Sequence, residues 1–186
     1  MGVQIASSTI RPGAAVGVYP KTGYWMSEPG ALSTGAPSQN VVRYMPLDLP
    51  VGTALDRIGI EHTVAGGAGS VIRLGIYNDD GYGQPGSLLI DAGTLDATVA
   101  GAFQSLTIAV TTRTPRIHCA VAAQGSASTP TLRFLAAPVR DPYFTTSNMT
   151  SAQNMALTGA ATGAFPATAS VSGVSGTTGF IQVRIG

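Results

Sequence analysis

Charge is scarce in this chain. Ten Lys and Arg with nine Asp and Glu make up 10% of its 186 residues, where an average protein carries about 25%. Lys21 is the only lysine, the charges are spread singly, and the formal net charge is +1. Nucleic-acid backbones are held by clusters of cations, so no nucleic-acid partner is expected. Cysteine is scarcer still: Cys119 stands alone, which rules out an internal disulfide and any CxxC or Cys/His metal spacing. His62 and His118 are the only histidines, Glu28 and Glu61 the only glutamates, and no GxSxG nucleophile elbow is present. No pair of acids stands at a spacing that argues glycoside hydrolysis, and the expectation is a protein that is not an enzyme and uses no cofactor. Long apolar runs are missing as well. No stretch approaches 18 consecutive apolar residues, so membrane insertion is not expected. The opening MGVQIASSTIRPGAAVGVYP has neither the basic nor the apolar region of a secretory signal.

What is present is turn chemistry and period-two alternation. The 24 glycines and 12 prolines punctuate short apolar runs. In Leu55 to Val64 the residues Ile58, Ile60, His62 and Val64 share one face, and in Val71 to Tyr77 the inward set is Ile72, Leu74 and Ile76. Val41 to Met45, Leu88 to Asp91, Phe103 to Val110, Arg116 to Ala123, Leu132 to Leu135 and Phe180 to Ile185 read as further strands. Short strands separated by clusters such as Ala65 to Gly69 and Asn78 to Gly86 predict an all-β, antiparallel, jelly-roll-like β-sandwich. The flanks differ in composition. Residues 1–40, with Pro12, Pro20, Pro29 and Pro37, read as an extended N-terminal arm with an aromatic lead-in, and residues 41–186 as the sandwich domain. Within that domain, residues 136–178 read as a long loop or insertion, either forming a short helix at Thr150 to Leu157 or ordered by a neighbouring subunit.

Few residues invite chemistry. Gly81-Tyr82-Gly83-Gln84-Pro85-Gly86 matches GxGxxG by letter, yet it leads into the strand Leu88-Leu89-Ile90 and not into the helix a dinucleotide site needs. Asp79 and Asp80 are weak candidates for a cation, and their Asn-Asp-Asp-Gly setting is also ordinary turn chemistry, so no metal is expected. Strand alternation sends Cys119 inward with Ile117 and Val121 and His118 the other way, which separates thiol from base. The aromatic candidates for a ligand or partner contact are Tyr19, Tyr24 and Trp25, with Tyr82 in the turn. Aromatics among Gly and Pro stack on sugars or anchor partners; alternatively they plug one end of the sandwich.

Three runs carry a likeness: Asp56 to Ile60, Ser70 to Gly81, and Gln84 to Thr94. Together they resemble a β-rich module of tail-fibre, minor-tail and related virion proteins of tailed bacteriophages. With the Tyr19-Pro20 to Tyr24-Trp25 lead-in and Ala120 to Gly125, the likeness extends over roughly residues 19–135. The strand before Gln124-Gly125 departs from it, reading Arg116-Ile117-His118-Cys119 where the family carries a Gly-Leu-Tyr-Trp-like run. The resemblance implies a virion location and a structural role as a minor-tail or tail-fibre component that presents a sandwich for host attachment. It further implies other virion proteins as partners, a homo-oligomer, with a trimer expected by analogy to fibres, and a host cell-surface glycan as possible ligand. Capsid decoration is the alternative within that class. A carbohydrate-binding lectin module is the alternative outside it.

Overall fold

The computed structural model describes residues 21–27, 30–138, 156–175 and 178–186. Among the described residues it is all-β, with thirteen strands: β1 (Trp25–Met26), β2 (Gly30–Gly35), β3 (Val41–Asp48), β4 (Ala54–Val64), β5 (Val71–Asp79), β6 (Pro85–Asp96), β7 (Ala102–Thr111), β8 (Arg116–Gln124), β9 (Thr131–Pro138), β10 (Ala156–Ala160), β11 (Gly173–Ser175), β12 (Thr178–Gly179) and β13 (Ile181–Ile185). They form two antiparallel sheets. In the first, β4 lies between β7 and β13, β1 flanks β13, and β9 joins β4, β12 and β2. The order in the second is β11-β10-β3-β8-β5-β6.

The alternation read from the sequence puts the expected residues between the sheets. Ile58 and Ile60 of β4, Ile72, Leu74 and Ile76 of β5, Ile117, Cys119 and Val121 of β8, and Ile181, Val183 and Ile185 of β13 all belong to one buried cluster. Burying such side chains contributes roughly 1.5–3 kcal/mol each, which is what drives two half-apolar sheets together. Val64 differs from expectation. It lies past the register shift between His62 and Val64, where β4 passes from β13 to β9, and is 55% exposed.

The opposite face of the second sheet is buried too. Val42, Tyr44, Tyr77, Ala120 and Ala122 form a second cluster with Leu157, Ala161 and Phe165. The segment that follows β10 crosses this face as a strap. Gln124 Nε2 donates to the carbonyls of Ala161 (2.8 Å) and Gly163 (2.9 Å), the Phe165 amide donates to Asp91 (3.0 Å), and the Tyr77 hydroxyl donates to Pro166 (3.0 Å). Arg73, bonded to both Asp91 and Gln124, ties these anchors together. Alternation therefore sends His118, Ala120 and Ala122 away from the main core, but not into water. Of the helix considered for Thr150 to Leu157, residues 150–155 lie outside the described residues, and Ala156 and Leu157 belong to β10. Residues 1–20 of the expected arm also lie outside them, while β1 and β2 are paired strands of the first sheet.

One end of the sandwich gathers the segments that matter for the site. Leu49 bonds Pro115 and Gly52 bonds Thr112, joining the loop after β3 to the loop after β7. The Asp79 amide donates to Thr114 Oγ1, bringing in the loop after β5. Gly23 bonds Ile185, and Gly186 bonds Ala54, so residues 21–24 and residue 186 lie at this same end.

Candidate functional site

Trp25 pairs with Arg184 on β13, whose alternate residues Val183 and Ile185 are buried, so Trp25 and Arg184 share the outward face of the first sheet. Phe103 on β7 lies on that face as well. Its ring reaches across Gly59, where an added Cβ would sit 2.5 Å from Phe103 Cζ, and meets Trp25 edge to face with ring centroids 4.8 Å apart. Gly59 is thus the missing side chain that lets two aromatics from separate strands meet over the sheet. Phe103 remains 41% exposed. Gln182 stands opposite Gly59 in the register, and Arg57 stands opposite Arg184.

Two ion pairs flank the aromatics. Arg184 Nε donates to Asp56 at 2.8 Å, and Arg133 Nη2 to Glu61 at 2.8 Å. Both carboxyls are held below their usual range, chiefly by these hydrogen bonds from arginine. The pairs are too exposed to contribute much stability. Their effect is to orient planar donors and acceptors beside an aromatic face. Such an arrangement presents apolar area for the C–H face of a ring and fixed polar groups for its hydroxyls. Nearer the end of the sandwich, Tyr24 is 58% exposed, with the Lys21 ammonium 5.2 Å from its ring centre.

Tyr82 is 85% exposed at the tip of the loop between β5 and β6. The loop is built by its own carboxylates. Asp79 Oδ1 accepts from the amides of Gly81 (2.7 Å) and Gly83 (3.2 Å), and Asp80 Oδ1 from those of Tyr82 (2.8 Å) and Gln84 (3.1 Å). The letters of GxGxxG are therefore a turn between strands, as their lead into β6 required. Among the described residues no group of three or more His, Cys, Asp or Glu is placed to hold a metal ion.

The second oxygen of Asp79 lies 2.9 Å from Nε2 of the fully buried His118. Burial lowers the pKa of His118 from its ordinary 6.5, opposed by the hydrogen bond to Asp79. The unfolded chain therefore takes up this proton first, and the contribution of neutral His118 is full above about pH 6.5 and lost as pH falls through the window below it. Urea unfolding between about pH 5 and 8 is expected to show stability falling on the acid side of this range, with a flatter profile in His118→Gln. Equal slopes in the two proteins would contradict this assignment. Cys119, one residue on, faces the main core with no exposed surface, and burial pushes its thiol up to about 12. His62 is also sealed in the interior, bonded to the carbonyl of Val99.

Of the residues singled out in the sequence, Trp25 lies on the open sheet face and Tyr24 beside the chain end; Tyr82 occupies a loop tip, and Tyr19 lies outside the described residues. Trp25 closes neither end of the sandwich. Phe103, Arg184 and Gln182 were not singled out. The alternation of β7, with Leu106, Ile108 and Val110 in phase, sends Phe103 outward, but nothing local to that strand shows that Gly59 lets an aromatic lie across β4. Comparison with protein-family models, curated proteins and solved structures finds no match.

Proposed function

We propose that the protein is a non-enzymatic virion component of a tailed bacteriophage, a minor-tail or tail-fibre-type protein whose sandwich binds the host surface. The observation that carries this reading is the outward Trp25–Phe103 pair with its flanking Arg–carboxylate pairs. Its two carboxylates, Asp56 and Glu61, are each engaged by an arginine, which suits a face that binds. The resemblance of Asp56 to Thr94 to phage virion modules supports it, since those residues are the three consecutive strands β4, β5 and β6 with their turns. A host glycan is the ligand class that suits an aromatic face edged by polar groups. Individually weak sites would gain strength from multiple copies in the particle.

We also read the sandwich as jelly-roll-like. β3 pairs with β10, β4 with β9 and β5 with β8, a nested set of antiparallel pairs, and β6 packs against β7 where the nesting turns back. The departure from a regular jelly roll is β6, which stays hydrogen-bonded to β5 in the second sheet.

The test is binding of the purified protein to host cells and to glycans released from them. Trp25→Ala is expected to weaken binding about tenfold, or about 1.4 kcal/mol, with the melting temperature little changed. Undiminished binding by Trp25→Ala would move the site elsewhere. Turnover of a polysaccharide or ester that His118→Ala abolishes would overturn the non-enzymatic reading.

A further inference from the structure

A sheet edge is a row of unpaired backbone donors and acceptors, and stable monomers blunt it with charge, proline, bulges, brevity or a covering segment. The edges of this sandwich are blunted unequally. β6 begins at Pro85, carries Asp91 and Asp96, has register shifts at three places along β5, and is bonded at Gly86 and Leu88 by the strap. β2 has six residues with glycine at both ends and a register shift, and β11 has three residues.

Among the described residues β7 is the least protected. Its ten residues, Ala-Phe-Gln-Ser-Leu-Thr-Ile-Ala-Val-Thr, include no charge, no proline and no glycine. From Ala102 to Thr107 they run in unbroken step with His62 to Arg57, and the single register shift lies beyond Thr107. Among the described residues only β4 pairs with it. The flank it borders is also where the core is least closed. Leu89, Ile90 and Ala92 of β6 and Leu106 and Val110 of β7 are core residues left partly exposed.

We propose that the edge of β7 pairs with the β7 edge of a second copy of this chain, antiparallel about a two-fold axis at Ser105, the outward residue near the middle of the Ala102–Thr107 run. An isologous contact brings the side chain on the axis next to its own copy and pairs every other residue with the one at the mirrored position, so a charge near the axis would repel itself. The absence of charge along β7 meets that condition, and Ser105 supplies a self-complementary hydroxyl on the outward face. Leu106 would be covered on the inward face. Paired residues must share a face, so the axis passes through a residue and the two first sheets become one continuous sheet. Both Trp25–Phe103 pairs then face the same way, giving a bivalent surface. The assembly is even-numbered, in place of the trimer expected by analogy to fibres. This proposal rests on the edge alone and stands whether or not the virion reading does.

The full chain is tested by light scattering on a sizing column and by sedimentation. The expected mass is twice 18.8 kDa. Thr107→Glu places a carboxylate opposite Arg57 within the protomer, so folding is not penalised, yet with the axis at Ser105 it sets that carboxylate against the apolar ring of Phe103 in the second copy. It is expected to raise the dimer dissociation constant at least about tenfold while the dissociated protomer stays folded, read by circular dichroism. Thr34→Glu on the β2 edge is expected to leave the dimer intact. Ser105→Cys is expected to give a disulfide-linked dimer under mild oxidation, because native Cys119 is buried and does not compete. A wild-type monomer at the highest soluble concentration, a wild-type trimer, or a dimer that Thr107→Glu leaves unaltered would overturn the proposal. So would a dimer lost on deleting residues 2–18 but kept in Thr107→Glu, because the edge would then be held by the arm.

Discussion

Gly125→Ala is expected to lower stability by about 3 kcal/mol, from the upper end of the range for a residue forced into a sparsely populated backbone region, and the melting temperature by about 10 °C. Gly125 follows β8 with φ +82°, in the left-handed region that costs an L-residue energy. Space is the second penalty. A Cβ there would sit 2.1 Å from the carbonyl oxygen of Gly69, itself at φ +76°, so two backbone turns touch with no side chain between them. A backbone oxygen cannot rotate away, and the loops following β4 and β8 would have to part. Gly81 is the control. Its φ is +94°, but nothing lies within 4 Å of an added Cβ. Gly81→Ala is expected to cost about 1 kcal/mol, the backbone penalty alone. Urea and thermal unfolding of both variants checks the pair, and equal losses would contradict the close contact between the loops.

Phe165→Ala is expected to cost about 3 kcal/mol, near the lower end of the range for removing a buried aromatic. Phe165 is the strap's anchor. It packs over Gly75, where a Cβ would lie 2.6 Å from its ring, and its ring centre is 6.2 Å from that of Tyr77. Loss of the ring frees the hydrogen bonds that join the strap to Asp91 and Tyr77, and amides of residues 161–169 should exchange faster than those of β4 and β13. A second readout is the titration of the phenols. Burial pushes Tyr44 up to about 12 and Tyr77 higher still. In both, the neutral form is favoured by the folded chain, so their contribution is full below the ordinary value near 10 and lost as pH rises above it. Lifting the strap hydrates both rings. The ultraviolet phenolate transition of Phe165→Ala should therefore move to lower pH, with alkaline unfolding beginning earlier. An unshifted transition would mean that the strap does not seal this face.

The main core was legible in the sequence because period-two alternation is a local signal. Ile72, Leu74, Ile76, Ile117, Cys119 and Val121 could be assigned to one interior from their own strands. The strap was not legible, since its apolar residues Ala161 and Phe165 follow no period and gain meaning only from Tyr77, Gly75 and Ala122 far along the chain. For the same reason β2 looked like arm: Gly-Ala-Leu-Ser-Thr-Gly is a weak strand former held by its register with β9. Of the site, Trp25 and Tyr24 stood out by residue type. Phe103 did not, because the reason it matters is the empty place at Gly59 on the neighbouring strand.

Where the protein resides and which face it shows decide its function. Electron microscopy of intact phage particles, with the two-sheet sandwich fitted into the map, tests this directly. The account predicts density for the sandwich at the tail tip or fibre, with Trp25 and Phe103 directed away from the particle. Density on the capsid lattice with that face against a capsid subunit, or particles that lack the protein altogether, would contradict it.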